Sequence, residues 1–452
     1  MQEWGIILNF ILIGVLMFVA KLMKTKLPVL NKVVIPTALL AGVIGLFIIL
    51  ALPATFMDKD AFRGQMGNIV YHALAIGFIA LALKREPGKI KKKIWSTGML
   101  ITSTYALQAV IGILVVFLFF SDRFIGSGML VALGFGQGPG LAWSIGNTWN
   151  DFLEGFGGTI GIAYSFLGFV FGGTIGVTLI NIVSRRRGQA KPKSYEEESV
   201  GKTMVEIDTV KEISILDGIT MQAIIISLIY GLVYLILLGS NALLGDDGVG
   251  GTVFGLIKGF NFIIGILLAL GYKRILLLFE RKGKNVRFVT NNYVLSNIAS
   301  TAFNVMIAGA VLAIEPGFIR EYGLQLLITA ILAGSITMLY LFHMTKRIYK
   351  QYQEEYFIGL FGMLTGVAST GLALLKGIDP NLESPVAEEM VLGSGTAITM
   401  ALPLFAILFI PSLTVGGPNE TMWNWISLLG IMMYVVVFAL ILFIRTRKPE
   451  IE

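Results

Sequence analysis

The stretch from Gly134 to Gly140 reads Gly-Phe-Gly-Gln-Gly-Pro-Gly and interrupts the apolar run 127–150 near its middle. Glycine at every second position lets the backbone leave helical geometry, and Pro139 removes a backbone hydrogen-bond donor. Within a membrane, irregular backbone is tolerated only where it is buried in protein or lines a wet cavity. The sequence therefore predicts a re-entrant hairpin over 127–150, with its tip at these glycines.

The rest of the chain has the composition of a multi-pass membrane protein. Of its 452 residues, 55% are hydrophobic and 14% are charged, whereas a soluble domain carries about 25% charged residues. Cysteine is absent and histidine occurs only at His72 and His343, which excludes disulfide frameworks and argues against catalytic zinc and haem centres. Runs of the length that crosses a bilayer predict eleven helices, over 5–23, 33–53, 67–84, 95–120, 158–184, 217–240, 250–274, 290–314, 323–346, 390–413 and 422–444.

The distribution of lysine and arginine predicts the orientation. With the N-terminus outside and the C-terminus in the cytoplasm, thirty of the 35 basic residues fall in cytoplasmic loops. This result requires the apolar runs 127–150 and 357–377 each to enter and leave the membrane on one side. Both are therefore predicted to be re-entrant hairpins, the first from outside and the second from inside. A single span over 357–377 is the alternative.

The order of four spans, a hairpin and a fifth span occurs twice. Because each copy has an odd number of spans, the second copy is inverted in the membrane relative to the first. The motif Gly-Leu-Ala-x3-Gly occurs in both hairpins, at Gly140–Gly146 and at Gly371–Gly377. The predicted fold is an all-α polytopic membrane protein of two inverted-topology repeats of five transmembrane helices, each with a re-entrant hairpin. The repeats cover 1–184 and 217–413, with a cytoplasmic linker over 185–216 and an extra helix and tail over 414–452.

Inverted repeats with broken elements that meet at mid-membrane are typical of secondary transporters. Helix N-termini at such breaks offer free N–H groups and a partial positive charge, which suit carboxylates. Tight helix packing is the alternative role of the glycines, and membrane anchoring is the alternative role of Lys376. The candidate substrate-binding residues are Gly136, Gln137, Gly138, Gly140 and Ser144 in the first hairpin, and Thr365, Gly366, Ser369, Thr370, Gly371 and Lys376 in the second.

No aspartate or glutamate is predicted at the middle of a span, and Glu388 and Glu389 fall near the end of one. Proton antiporters use intramembrane carboxylates as relays, so this absence argues against an antiporter. A coupling cation would then be held by neutral oxygens. The candidate sodium ligands are Gln108, Asn297, Ser300, Thr396 and Thr399, for each of which an ordinary interhelical hydrogen bond is the alternative. Two further polar residues are interpreted structurally, Lys258 as a snorkelling side chain and His72 as a packed neutral imidazole.

The sequence contains the motifs Ile35-Pro36, Leu40–Gly42, Gly136-x-Gly138-x-Gly140-x-Ala142-Trp143, Gly172-Gly173, Gly362–Gly366, Ser369–Gly371, Asp379-Pro380 and Ser384-Pro385. Together these motifs resemble the sodium/glutamate symporter family. The resemblance covers most of the chain, is most specific in the hairpins, and implies sodium-coupled glutamate uptake across the cell membrane. It also implies a homodimer in which a transport unit moves against a fixed scaffold, in elevator-type alternating access. Better-known members carry histidine where Gln137 stands, which leaves another amino acid or a dicarboxylate open as substrate.

The leading hypothesis is a sodium-driven symporter of glutamate or a similar anion, and a carrier of other organic carboxylates is the alternative. A membrane-embedded enzyme acting on a lipid would need clustered carboxylates or a histidine acid–base set, and the sequence supplies neither. No phosphate loop ending in Gly-Lys-Ser/Thr is present, which argues against transport driven by ATP within this chain. The basic residues share no face, so nucleic acid is not an expected partner; the expected partners are the substrate, sodium and the lipid bilayer.

Overall fold

The computed structural model describes residues 5–27, 36–53, 56–85, 92–187, 212–245, 248–283, 289–380 and 382–447. Over these residues the chain forms α-helices and short 3-10 segments, among them Asn150–Phe152, and contains no β-strand. Most of the predicted linker, from residue 188 to residue 211, lies outside the described residues. The all-α class is confirmed for the described part of the chain.

The α-helices are numbered here in chain order. They are α1 (Gly5–Lys26), α2 (Thr37–Ala51), α3 (Lys59–Leu83), α4 (Lys92–Phe119), α5 (Gly126–Gly136), α6 (Pro139–Thr148), α7 (Gly157–Arg186), α8 (Glu212–Leu244), α9 (Gly248–Gly259), α10 (Asn261–Arg281), α11 (Asn292–Leu312), α12 (Phe318–Ile348), α13 (Gln353–Leu364), α14 (Ala368–Lys376), α15 (Val386–Thr414) and α16 (Glu420–Arg447).

Ten of the described helices are long and apolar enough to cross a membrane: α1, α3, α4, α7, α8, α10, α11, α12, α15 and α16. The chain is therefore a multi-pass membrane protein. The predicted span 33–53 corresponds to α2, which has 15 residues in the described chain and so rises about 22 Å. Its first predicted residues, 33–35, lie outside the described part.

The prediction of one continuous helix over 250–274 is wrong. The structure breaks this segment at Phe260, between α9 and α10, where the Phe260 N–H donates to the Ile257 carbonyl at 3.1 Å in a tighter, three-residue turn. Gly259 destabilises the helix at this point. A glycine backbone has more freedom in the unfolded chain and therefore loses more entropy when it becomes helical. The Asn261 side chain also leaves its own helix and reaches the carbonyl of Tyr71, with Nδ2 and O 3.5 Å apart.

The chain divides into two compact units, and each predicted repeat contributes to both. Unit 1 comprises Met1–Val19, Ala38–Gly88 and Glu198–Ala313, and unit 2 comprises Ala20–Thr37, Lys89–Glu197 and Ile314–Glu452. Helices α2, α3 and α8–α11 therefore belong to unit 1, apart from the first residue of α2. Helices α4–α7 and α12–α16, which include both predicted hairpins, belong to unit 2.

The core of unit 1 lies between α3, α8, α10 and α11. It is built from buried aliphatic side chains that these spans present to one another: Ile79, Ala80, Leu83, Ile225, Ile226, Ile229, Ala269, Leu295 and Ala299. A short side chain lets helices approach closely in a membrane. Accordingly, a Cβ on Gly77 of α3 would lie 2.6 Å from the ring of Phe303 on α11.

Unit 2 is held by even closer backbone contacts. A Cβ on Gly112 of α4 would lie 1.9 Å from the carbonyl oxygen of Gly128 on α5, and one on Gly157 of α7 would lie 2.0 Å from that of Gly146 on α6. Because a backbone atom cannot swing away as a side chain can, neither glycine tolerates a larger residue without movement of a helix. These contacts fix the broken pair α5–α6 against α4 and α7.

Candidate functional site

Two segments of unit 2 are each interrupted by a short break, so that each segment forms a pair of short helices. In the first pair α5 ends at Gly136 and α6 begins at Pro139, and in the second α13 ends at Leu364 and α14 begins at Ala368. The first residue of each break closes the preceding helix: the Gln137 N–H donates to the Leu133 carbonyl at 3.1 Å, and the Thr365 N–H donates to the Phe361 carbonyl at 3.0 Å. We call Gln137–Gly138 and Thr365–Val367 the first and second breaks.

The two breaks contact each other. Gly138 has φ of 94° and ψ of 165°, a region that only glycine populates readily. A Cβ on Gly138 would lie 3.2 Å from Cγ1 of Val367 in the second break. Val367, with φ of −139° and ψ of 170°, directly precedes α14. The N-termini of α6 and α14 are therefore brought to one place in unit 2.

Helix α7 forms a wall along which both broken pairs pack. A Cβ on Gly161 would lie 2.2 Å from the Ala142 carbonyl oxygen on α6. Further along the same face, a Cβ on Gly168 would lie 2.5 Å from the carbonyl oxygen of Thr365, and one on Gly172 would lie 2.4 Å from its Oγ1. The glycines at seven- and four-residue spacing lie on one helix face. This glycine spacing is visible in the sequence and is the signal there that indicates such a packing face.

Gln108 connects α4 to the second pair and to α12. Its side chain is fully buried, and Nε2 donates to the Leu364 carbonyl at 2.8 Å and to Thr337 Oγ1 at 3.1 Å. Its Oε1 has no hydrogen-bond partner among the described residues, and it would lie 3.3 Å from a Cβ on Gly136. A buried amide oxygen thus faces the end of α5 with its acceptor capacity unused.

Thr370 supplies a second buried oxygen of this kind. The residue lies in the first turn of α14 and is 1% exposed, and its Oγ1 has no partner in the described part of the chain. Leaving a buried polar atom unpaired costs about 1–3 kcal/mol. Gln108 Oε1 and Thr370 Oγ1 are thus two buried oxygens without a partner among the described residues, one beside each broken pair.

The other predicted substrate-binding residues differ in how deeply they are buried. Gly136, Gly140, Ser144, Thr365, Gly366 and Gly371 are buried within the two broken pairs, Gln137 is partly buried, and Ser369 is exposed in the first turn of α14. Lys376 is the last residue of α14. It therefore lies about 12 Å along the helix axis from the second break, at the end opposite to the N-terminus.

The predicted sodium ligands do not form one group. Gln108, Thr396 and Thr399 belong to unit 2, whereas Asn297 and Ser300 lie on α11 in unit 1 and are exposed. Thr396 Oγ1 donates to the Gly393 carbonyl at 2.9 Å, and a Cβ on Gly98 of α4 would lie 2.0 Å from that Oγ1. Thr396 is thus occupied in packing α15 on α4, and Thr399 is exposed. Gln108 is the member of the set that lies beside the breaks.

The two breaks carry no ionised side chain. Residues 136–144 and 364–371 contain no acidic or basic residue, and the described chain holds no group of three or more histidine, aspartate or glutamate residues that could bind a metal ion. The first N–H groups of a helix have no acceptor within that helix. The local electrostatics are therefore set by the partial positive charges of the α6 and α14 N-termini.

A buried carboxylate, whose surroundings the sequence did not reveal, lies at the start of α15. Glu389 is in the first turn of α15, near the span end as predicted, but is only 4% exposed. The hydroxyl of Tyr356 on α13 donates to it, and the Tyr356 ring stacks on Tyr349 at 3.5 Å between centroids. Thr97 of α4 bonds the Tyr349 hydroxyl at 2.7 Å. This series of side-chain contacts links α4, α13 and α15. The hydropathy pattern does not predict these contacts.

An ion-pair group fixes the N-terminus of α13 to the end of α7. The Arg187 guanidinium donates to Glu355 Oε1 at 2.8 Å and to Glu354 Oε2 at 2.7 Å. The bonds to Glu355 and Glu354 raise the pKa of Arg187 above its usual value. The second broken pair is thus anchored at its far end while its break contacts the first pair.

Comparison of the chain with protein-family models, with curated proteins and with solved structures finds no match.

The unused hydroxyl of Thr370 gives a prediction in which stability and binding change in opposite directions. Thr370→Val keeps the side-chain shape and removes the unpartnered oxygen. We expect the free energy of unfolding of the ligand-free protein to stay constant or rise by up to about 1 kcal/mol. Ligand affinity should fall about fivefold or more if the hydroxyl binds the ligand. Denaturation and equilibrium binding in detergent measure the two quantities.

Thr345→Val is the matched control for this prediction. Thr345 is also fully buried on a helix of unit 2, but its Oγ1 already donates to the Leu341 carbonyl at 2.7 Å. Its replacement should leave affinity unchanged. A Thr370→Val protein that is clearly less stable and binds normally would show that the hydroxyl has a structural role only.

Proposed function

We propose that this protein is a sodium-coupled secondary transporter that takes up glutamate or a similar anionic amino acid by alternating access. The observation that supports this best is the contact between the two breaks, Gly138 against Val367, which brings two helix N-termini together in unit 2. Discontinuous helices that meet in this way are how secondary transporters build substrate and ion sites within a membrane.

The chemistry of the breaks fits a dicarboxylic amino acid. Glutamate carries two carboxylates, and the N-termini of α6 and α14 offer two sets of N–H donors with partial positive charge. The substrate ammonium needs acceptors, one of which the Ser369 hydroxyl can supply. Lys376, at the distant end of α14, is not required in this arrangement.

The coupling ion is proposed to bind neutral oxygens beside the breaks. Gln108 Oε1 and Thr370 Oγ1 are buried and unpartnered in the described chain, and carbonyl and hydroxyl oxygens are the ligands that transporters use for sodium at broken helices. Sodium bound here would also neutralise part of the substrate's charge, so each ligand should strengthen binding of the other.

Equilibrium binding of labelled glutamate to the purified protein tests this proposal. We expect saturable binding in sodium chloride and little binding in potassium or choline chloride. Unlabelled dicarboxylates and other amino acids then act as competitors. Strong competition by a dicarboxylate without an amino group would favour the alternative, a carrier of other organic carboxylates. Binding that is equal in all three salts would contradict sodium coupling.

A further inference from the structure

Gln108 faces the two broken pairs with the opposite ends of one amide group. Its Nε2 lies 2.8 Å from the Leu364 carbonyl oxygen. That oxygen can only accept a hydrogen bond, so the amide atom beside it must be the nitrogen, which donates. Oε1 is therefore the atom that faces Gly136, where an added Cβ would lie 3.3 Å from it. The orientation of the amide is thus fixed by its partners.

The Oε1 atom lies at the C-terminal end of α5. Gly136 is the last residue of this helix, and the N–H group of Gln137 bonds the carbonyl of Leu133. The carbonyls after Leu133 have no donor within the helix, and the C-terminal end of a helix carries a partial negative charge. Oε1 itself has no partner among the described residues. An amide oxygen placed beside a negative helix end suits a cation.

The nitrogen of the same amide holds the start of the second break. Leu364 is the last residue of α13, and its carbonyl accepts one hydrogen of Nε2, while Thr337 Oγ1 on α12 accepts from Nε2 at 3.1 Å. Thr365 follows Leu364 and is fully buried, and its carbonyl oxygen would lie 2.5 Å from a Cβ on Gly168 of α7. One buried amide thus connects the end of α5 with the end of α13.

A cation at Oε1 strengthens the bonds that Nε2 donates. It draws electron density from the amide nitrogen toward the oxygen, so the N–H groups become more positive. Hydrogen bonds that share a polar group inside a protein reinforce one another by about 10–30% per bond. Conversely, an opening of the second break that pulls Leu364 away from Nε2 weakens the attraction of the amide for the cation. Ion binding and the closed second break therefore favour each other.

We propose that Gln108 couples the ion to the substrate: sodium at Oε1 and the end of α5 fixes the second break, and the anion binds the α14 N-terminus only afterwards. This inference rests on the function proposed above. The first backbone N–H that bonds within α14 is that of Gly371, to the Val367 carbonyl at 3.1 Å. The N–H groups of residues 368–370 have no acceptor within the helix and can bind an anion. They converge on one anion only while the break before them is fixed.

Hydrogen–deuterium exchange of the full-length protein in detergent, measured by mass spectrometry, tests this coupling. Peptides that cover residues 362–374 are compared in sodium chloride and in choline chloride, without substrate. The rise of the melting temperature with sodium gives the dissociation constant of the ion. At ten times that concentration, we expect the amides of these peptides to exchange about tenfold more slowly. Glutamate in choline chloride should leave their exchange unchanged.

Gln108→Met keeps the length of the side chain and removes both the amide oxygen and the N–H donors. In this variant sodium should no longer slow exchange in the 362–374 peptides. Gln222→Met is the matched control, because Gln222 is also a buried glutamine that donates to a backbone carbonyl, that of Val289, but lies on α8 in unit 1. It should keep the full sodium effect. If Gln108→Met fails to fold, the comparison of the two salts in the unchanged protein decides alone.

The outcomes separate this inference from the proposed function. Glutamate binding that requires sodium, together with exchange at 362–374 that is equal in both salts, would overturn the coupling and leave the transport proposal standing. A full sodium effect in Gln108→Met, or protection of the second break by glutamate alone, would also overturn the coupling. Glutamate binding that is equal in sodium chloride and choline chloride would instead contradict the transport proposal itself.

Discussion

Gly138→Ala is expected to weaken substrate binding about 10- to 100-fold. The new Cβ would lie 3.2 Å from Val367, and the positive φ of 94° would become strained. Such strain costs about 1–3 kcal/mol. Relief of that strain would move Pro139 and the N-terminus of α6, so the N–H groups would no longer point at the substrate. Equilibrium binding of labelled glutamate measures the loss.

Gly155→Ala is the control that separates the effect of backbone strain on stability from the effect of a changed site geometry on binding. Gly155 has a similar φ of 82°, but it lies in the loop before α7 and a Cβ there would meet no atom within 4 Å. The free energy of unfolding should therefore fall by about 1 kcal/mol in both variants. Only Gly138→Ala should lose affinity. Equal affinity in the two proteins would show that the first break is a packing element.

Gln108→Leu is expected to raise the sodium concentration for half-maximal binding about tenfold. The change removes the unpartnered Oε1 and also the two donations to Leu364 and Thr337. Loss of a buried hydrogen-bonding group costs about 1–3 kcal/mol, and each 1.4 kcal/mol corresponds to tenfold in affinity. Substrate affinity at saturating sodium should change less than the sodium requirement does.

Gln222→Leu is the matched control, because Gln222 is also a buried glutamine whose Nε2 donates to a backbone carbonyl, that of Val289 at 2.9 Å. It lies on α8 in unit 1. Both leucine variants leave a carbonyl without its donor and should lose similar stability. A sodium requirement that shifts equally in both proteins would assign the effect to stability and exclude Gln108 as a sodium ligand.

The sequence was most informative where composition changes abruptly. The run Gly134–Gly140 predicted a tip, and the structure ends α5 and begins α6 within it. Hydropathy located the spans because backbone groups in lipid must be satisfied within a helix. The break at Phe260 was missed because 250–274 is apolar on both sides of it. Beside the turn, the Asn261 side chain reaches the carbonyl of Tyr71, 190 residues away in the sequence.

The parts of the site that could not be predicted are tertiary contacts. Nothing in the local sequence indicates that Gln108 bonds the Leu364 carbonyl, 256 residues away, or that Glu389 is buried against Tyr356. Asn297 and Ser300 are polar residues within a predicted span, and hydropathy does not indicate to which unit a span belongs. Lys376 was proposed for its charge, yet the nine residues of α14 separate it from the break.

Uptake into liposomes under independently set sodium and proton gradients tests the central claim most directly. With an inward sodium gradient and equal pH on both sides, we expect glutamate to accumulate. Because residues 136–144 and 364–371 contain no acid that titrates there, the sodium requirement should stay nearly constant between about pH 6 and 8. Uptake that follows an imposed proton gradient and is indifferent to sodium would contradict the account.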